Sequence, residues 1–219
     1  LNKDMGTGKV QTILLFSLGL YTACLVIANV LASKLFVIDG RFVVTAGIIA
    51  YPITFVVTDM INEVWGKSMA RKFVWIGLTT NIMMVLLFSV GVKLPSASIY
   101  TGQESFASVL GSVPKMVVAS MLGYLASQLW DVWVFNFIKE KFKWGLWFRA
   151  NFSTVTGQAV DSSVFLLIAF GGSVPPAGLV EMLITYIIIK AVVALLSTPL
   201  CYMAVDATKK AIKKERIYE

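Results

Sequence analysis

Gln128-Leu129-Trp130-Asp131-Val132-Trp133-Val134-Phe135-Asn136-Phe137-Ile138 lies inside a long apolar run, and Gln158-Ala159-Val160-Asp161-Ser162-Ser163-Val164-Phe165-Leu166-Leu167-Ile168 repeats its pattern further on. Gln, Asp, Val, Phe and Ile fall at the same offsets in both. Each segment reads as part of a membrane span, so each carries an amide and a carboxylate into hydrocarbon. An ionised carboxylate at the centre of a span costs about 2.5–3.5 kcal/mol on insertion scales. Two such pairs make physical sense when something polar sits between them.

Composition agrees with a membrane setting. Of 219 residues, 58% are hydrophobic and 14% charged, and the mean hydropathy is +0.80. A soluble domain carries roughly 25% charged residues. The apolar runs are too long for barrel strands, which alternate over about ten residues. The chain reads as an all-α integral membrane protein. The absence of histidine excludes a histidine proton relay, a histidine metal site and Ser-His catalysis. Cys24 and Cys201 sit singly in apolar runs and read as small buried hydrophobes. No metal or cofactor is expected. The short polar start, Leu1 to Gln11, contains no cleavable signal, so the first span is expected to act as its own insertion signal.

Six spans are predicted, at about 11–33, 43–63, 73–92, 115–138, 151–171 and 178–206, each near the ~20 residues that cross the hydrocarbon core. Of the 19 Lys and Arg, Lys34, Arg41, Lys93 and Lys115 fall on one side of this topology and Lys190 inside the sixth span. All the rest fall on the other side, in the tails and in the connections around Lys67–Lys72 and Lys139–Arg149. The positive-inside rule then makes both termini cytoplasmic. The net charge of +7 follows this topology rather than a nucleic-acid surface. In the longest connection, Thr101-x-x-Glu104 has the capping-box form, with Phe106, Val109 and Leu110 behind it. A short amphipathic helix on the outer surface, cover or lid, is expected there. Pro52, inside the second span, is expected to kink it.

If spans four and five are antiparallel neighbours turning near Trp144 and Gly145, Gln128 comes level with Asp161 and Asp131 with Gln158. Each pair is three residues apart, on one helix face. Asp59, Asn62 and Glu63 share a face near the cytoplasmic end of span two. Asn29 in span one completes the candidate set; with Asn81 it equally suits a structural bond between helices. Glu63 either binds ligand or pairs with Lys67. Lys190 is a candidate charge partner for Asp161. Trp130, Trp133, Trp144 and Trp147 suit an interfacial belt, and Trp130 also suits stacking on a flat ligand. Amides beside carboxylates offer donors and acceptors together. They fit a small, flat, neutral purine-like heterocycle; an anion would call for Arg or Lys, which this patch lacks. A divalent cation would need more carboxylates in one place.

Several linear motifs, in order, carry a family likeness. They are Ala28-Asn29-Val30-Leu31-Ala32-Ser33-Lys34, Tyr51-Pro52-Ile53-Thr54-Phe55, and Thr58-Asp59-Met60-Ile61-Asn62-Glu63-Val64-Trp65-Gly66-Lys67. Ser127-Gln128-Leu129-Trp130-Asp131-Val132 and Leu146-Trp147-Phe148-Arg149-Ala150-Asn151-Phe152-Ser153-Thr154 follow. Together they resemble the queuosine precursor transporter family, also called the vitamin uptake transporter family, over nearly the whole chain. The resemblance implies an inner-membrane importer of 7-deazaguanines such as 7-cyano-7-deazaguanine. The family's motif positions fall on Asp59, Asn62, Glu63, Gln128, Asp131, Asn151, Gln158 and Asp161.

Two mechanisms compete. A secondary transporter would bind substrate near mid-membrane and rock, with any proton coupling carried by Asp131 or Asp161. A substrate-binding subunit of an energy-coupling-factor transporter would dock through a small-residue surface such as Ala28-x-x-x-Ala32. An enzyme is not expected: no nucleophile–base pair or metal triad is present, and Gly6-x-Gly8-Lys9 lacks P-loop spacing. Lipid surrounds the chain, and a homo-oligomer stays open.

Overall fold

The structure, a computed structural model, describes residues 8–40, 42–141 and 146–217. Lys3, Arg41, Lys143 and the expected turn centre at Trp144 and Gly145 lie outside the described residues. So do the side chains of Lys9, Phe135, Lys139, Trp147, Arg149, Asn151, Lys214 and Arg216.

The apolar runs fold into helices α1 (Lys9–Leu31), α2 (Tyr51–Lys93), α3 (Gln103–Lys141), α4 (Leu146–Phe170) and α5 (Pro176–Ile217). Among the described residues, four helices are long and apolar enough to cross a membrane, at 10–31, 51–93, 103–138 and 176–213, and 155–170 is a shorter apolar helix. Their outward faces are apolar: Leu15, Phe16, Leu87 and Leu196 are each more than 60% exposed. Continuous belts of this kind are tolerated in lipid and not in water.

Where the chain leaves α1 it forms a β-hairpin, not the start of a span. β1 (Leu35–Ile38) pairs antiparallel with β2 (Phe42–Thr45), Phe36 opposite Val44. Asp39 and Gly40 both take positive φ, 51° and 68°, the left-handed conformation that Asp-Gly turns supply. The expected span at 43–63 is corrected accordingly: a short 3-10 turn, Ala46–Ile49, follows β2, and helix begins only at Tyr51. The β-branched residues of 42–45 pair across the hairpin, and their backbone is satisfied there. Val44 is fully buried, and Thr45 bonds the Tyr186 hydroxyl of α5 through both its hydroxyl (2.6 Å) and its amide (3.3 Å). Non-helical backbone survives at membrane depth when protein encloses it in this way.

Pro52 does not kink a helix. It stands in the first turn of α2, where its missing N–H was not needed. The break falls at Gly66, with φ 81° and ψ 173°. On either side, α2 runs in opposite directions along α1. Ala50, just before the helix, clusters with Ala28, and Val57 with Tyr21. Beyond Gly66 the order reverses. Phe73 lies against the Tyr21 ring at 5.8 Å, Gly77 against Leu25, and Asn81 accepts from Asn29 at 3.2 Å. Gly66 therefore turns the chain back on itself.

Further expectations are corrected. The outer amphipathic helix is not separate; residues from Gln103 onward are the first turns of α3, which passes through Pro114. Gly102, not Thr101, accepts the first helical bond, from the Phe106 amide. The helix that carries the sixth expected span is longer than 178–206: α5 continues as helix through the basic tail to Ile217. Ala28 and Ala32 are buried, and Gly47 packs so closely that a Cβ there would stand 2.6 Å from the Ala28 carbonyl. That small-residue stripe is an internal contact, not a docking surface.

The conformation of Gly66 is open to glycine and strained for other residues. Nothing lies within 4 Å of a Cβ built there, so Gly66→Ala isolates the backbone cost. It should destabilise the protein by about 1–3 kcal/mol, read as a lower thermal midpoint in detergent. An unchanged midpoint would contradict the turn.

Candidate functional site

The polar faces of α2, α3, α4 and α5 enclose a cavity of about 930 Å³. Asp59, Asn62 and Glu63 line it from α2, Gln128 and Asp131 from α3, Gln158 and Asp161 from α4, and Lys190 from α5. The structure thus brings together the candidates from spans two, four, five and six. Asn29 stands apart. It is buried and donates to the Leu25 carbonyl and to Asn81, the structural bond that residue also suited. The Asn151 side chain is outside the described residues.

Helices α3 and α4 lie close because glycine permits it. A Cβ on Gly123 would meet the Asp161 carbonyl at 2.9 Å, and one on Gly157 would lie 3.4 Å from the Ser127 carbonyl and 3.8 Å from Asp131 Cβ. These contacts run antiparallel but slip the register. Asp161 lies against Gly123, not Gln128, a difference of about 7 Å along the axis. The level estimate assumed straight helices meeting at a turn midway between the repeats. The observed contacts place Gly157 between Ser127 and Asp131, with Gln158 beside it.

The patch is not free of cations, contrary to the expectation for spans four and five alone. Lys190 donates to Asp161 Oδ2 at 2.7 Å and to Ser162 Oγ at 2.8 Å. Its side chain is 15% exposed and that of Asp161 23%. The Tyr51 ring lies 6.0 Å from the ammonium, at the outer limit of cation–π attraction. Glu63 pairs with Lys209 of α5 at 2.8 Å, not with Lys67. Lys67 follows the break at Gly66, which takes it off the helical face that i,i+4 spacing assumed. Both partners of the Glu63–Lys209 pair are largely exposed and mark the open end of the cavity. At the opposite end Val44, Met116, Ala119, Leu166, Met182 and Tyr186 pack into a closed apolar core.

Aromatic lining is supplied by Tyr51, Phe55, Tyr124 and Tyr202. Sequence reasoning did not select these residues. Their signal was spacing: Tyr51, Phe55, Asp59 and Glu63 recur every four residues, as do Ser120, Tyr124 and Gln128. Trp130 does not line the cavity. It packs on Trp133 at 5.4 Å, and Trp133 stacks on Phe137. Cys201 lines the cavity as well. Among the described residues no cluster has the composition of a metal site.

Chemically, the cavity offers carboxylates, amides and hydroxyls against aromatic walls, with its lysines engaged in ion pairs. Removing Lys190 would leave Asp161 partly buried and uncompensated. Lys190→Met should destabilise the protein by about 1–3 kcal/mol, and the double variant Asp161→Leu/Lys190→Met should recover much of that. Thermal denaturation of the single and double variants checks the coupling; strictly additive effects would contradict it.

The pattern of the family described as "Putative vitamin uptake transporter" matches residues 45–204. A Bacillus subtilis protein called "Probable queuosine precursor transporter" is 30% identical over 201 residues, covering 91% of this chain and 85% of that protein. A Haemophilus influenzae protein of the same name is 31% identical over 138 residues, 63% of this chain and 57% of its own. The Escherichia coli "Queuosine precursor transporter" is 27% identical over 140 residues, 64% of this chain and 61% of its own. No solved structure matches. With the family pattern running from β2 through most of α5, across every element that lines the cavity, the chain belongs to the vitamin uptake transporter family.

Proposed function

We propose that this protein imports a queuosine precursor, 7-cyano-7-deazaguanine or a related 7-deazaguanine, across the inner membrane as a secondary transporter. The observation that carries this reading is the single cavity into which Gln128, Asp131, Gln158 and Asp161 all project. The names of the relatives supply the substrate class. A flat heterocycle with donors and acceptors on its edges suits amides, carboxylates and aromatic rings arranged together.

The chain crosses the membrane six times in this reading. The two arms of α2, separated at Gly66, count as separate crossings, and both termini are cytoplasmic by the distribution of Lys and Arg. Glu63 and Lys209 then face the cytoplasm. The closed apolar core near the hairpin faces outward, so the structure corresponds to an inward-open state. Transport requires the opposite end to open and this one to close, by rocking of packed helices about the central site. Any coupled proton must use a carboxylate such as Asp131 or Asp161, because the chain has no histidine. Service as the binding subunit of a larger transporter is the second reading, but the buried Ala28–Ala32 stripe leaves it no docking face there.

Purified protein in liposomes should accumulate labelled 7-cyano-7-deazaguanine without any other subunit. Binding without uptake would contradict the secondary mechanism and favour the binding-subunit reading. Asp161→Asn should abolish uptake while the protein stays folded; unchanged uptake would remove Asp161 from the mechanism.

A further inference from the structure

Four carboxylates line the cavity, and two of them are engaged: Asp161 with Lys190 and Glu63 with Lys209. Asp59 and Asp131 enter no ion pair among the described residues. Asp59 is exposed. Asp131 differs from it in one respect: its Oδ1 atom is closed off from solvent and has no hydrogen-bond partner. A carboxylate oxygen held away from water without a donor is rare and unfavourable. The neighbouring helix cannot supply one at this level, because the residue packed against Asp131 is Gly157, which has no side chain. Gln128 and Gln158 line the same cavity.

We propose that Asp131 is the specificity-determining acceptor of the site. Its carboxylate takes two adjacent N–H groups on one edge of a planar base, the ring N–H and exocyclic amine of a 2-amino-pyrimidinone, and so selects 2-amino over 2-oxo bases. The inference rests on the functional reading above and adds to it the residue that reads the base. An ionised carboxylate only accepts, with two oxygens side by side. Rotation about its last bond is soft and two-fold, so both oxygens can turn to a ligand that brings two donors. A 2-oxo base puts an acceptor where the second donor should be, and two acceptors then face each other. Gln128 and Gln158 cannot make this distinction, because a primary amide turned over presents the other group. The paired acids are less suited, because one oxygen of each already accepts from lysine.

Binding of 7-cyano-7-deazaguanine and of its 2-oxo counterpart, measured on the full chain in detergent, tests the assignment. The wild-type protein should prefer the 2-amino base by at least about tenfold. Asp131→Asn should invert that preference, because the amide offers one acceptor and one donor, and Asp206→Asn, at an exposed ion pair outside the cavity lining, should leave it unchanged. An Asp131→Asn protein that keeps the wild-type preference, or inversion by Asp206→Asn instead, overturns the assignment and leaves the transport reading standing. Wild-type protein that binds neither base overturns both. If Asp131→Asn does not fold, the 2-desamino base on wild-type protein decides. Binding at least about tenfold weaker supports edge reading at the unpaired carboxylate, and equal binding overturns it.

Discussion

Lys190 and Asp161 meet at 2.7 Å within a bundle whose outer faces are almost entirely apolar. Either charge alone in that partly buried setting would be costly. Together, with Ser162 as a further acceptor, they hold α5 against α4 and turn the polar face of α4 inward. Everything else about the cavity follows from that rotation. With Asp161 held toward α5, Gln158 lies on the adjoining turn of the same face, and Gly157 presents a bare surface to α3. Gln128 and Asp131 then complete a polar wall. The pair also settles why the cavity carries lysines without being a simple anion site, since each ammonium is engaged by a carboxylate.

Small residues determine how closely the helices approach, and hence what kind of hollow forms. Gly123 and Gly157 bring α3 and α4 together, Gly77 seats α2 against α1, and Gly47 sits against the Ala28 carbonyl. In lipid, helices gain little from apolar burial and associate through such close packing and interhelical bonds. The Asn29–Asn81 and Thr45–Tyr186 bonds belong to the same scaffold. The result is asymmetric: one end is sealed by the hairpin and its apolar neighbours, the other is wide and rimmed by the exposed Glu63–Lys209 pair.

Much of the cavity lining was legible because charged and amide side chains are expensive in hydrocarbon and therefore stand out. Gln128, Asp131, Gln158 and Asp161 were found on that ground, and so was the Lys190–Asp161 partnership. The aromatic walls were not, because Tyr51, Phe55, Tyr124 and Tyr202 look like any other lipid-facing residue until the helices are assembled. The hairpin was hidden for a related reason. Phe42 to Ile49 is an apolar run, and a buried strand cannot be told from a helix start by hydrophobicity alone; only Asp39-Gly40 marked it. The reversal at Gly66 was placed correctly as a connection, but its form, a single left-handed glycine and not an open loop, was not. Register between α3 and α4 came within a residue at Asp131, which lies against Gly157, and missed at Asp161, which lies against Gly123, because it was estimated from the turn, whereas the glycines decide where the backbones touch.

A ligand-bound structure resolving the orientation of 7-cyano-7-deazaguanine tests the central claim most directly. The account predicts the base in the cavity enclosed by α2, α3, α4 and α5, its edge on Asp131 with Gln128 and Gln158 alongside, and the Lys190–Asp161 pair in place or exchanged onto the ligand. Ligand bound elsewhere, with Gln128, Asp131, Gln158 and Asp161 turned toward lipid or locked in separate dry contacts, would contradict it.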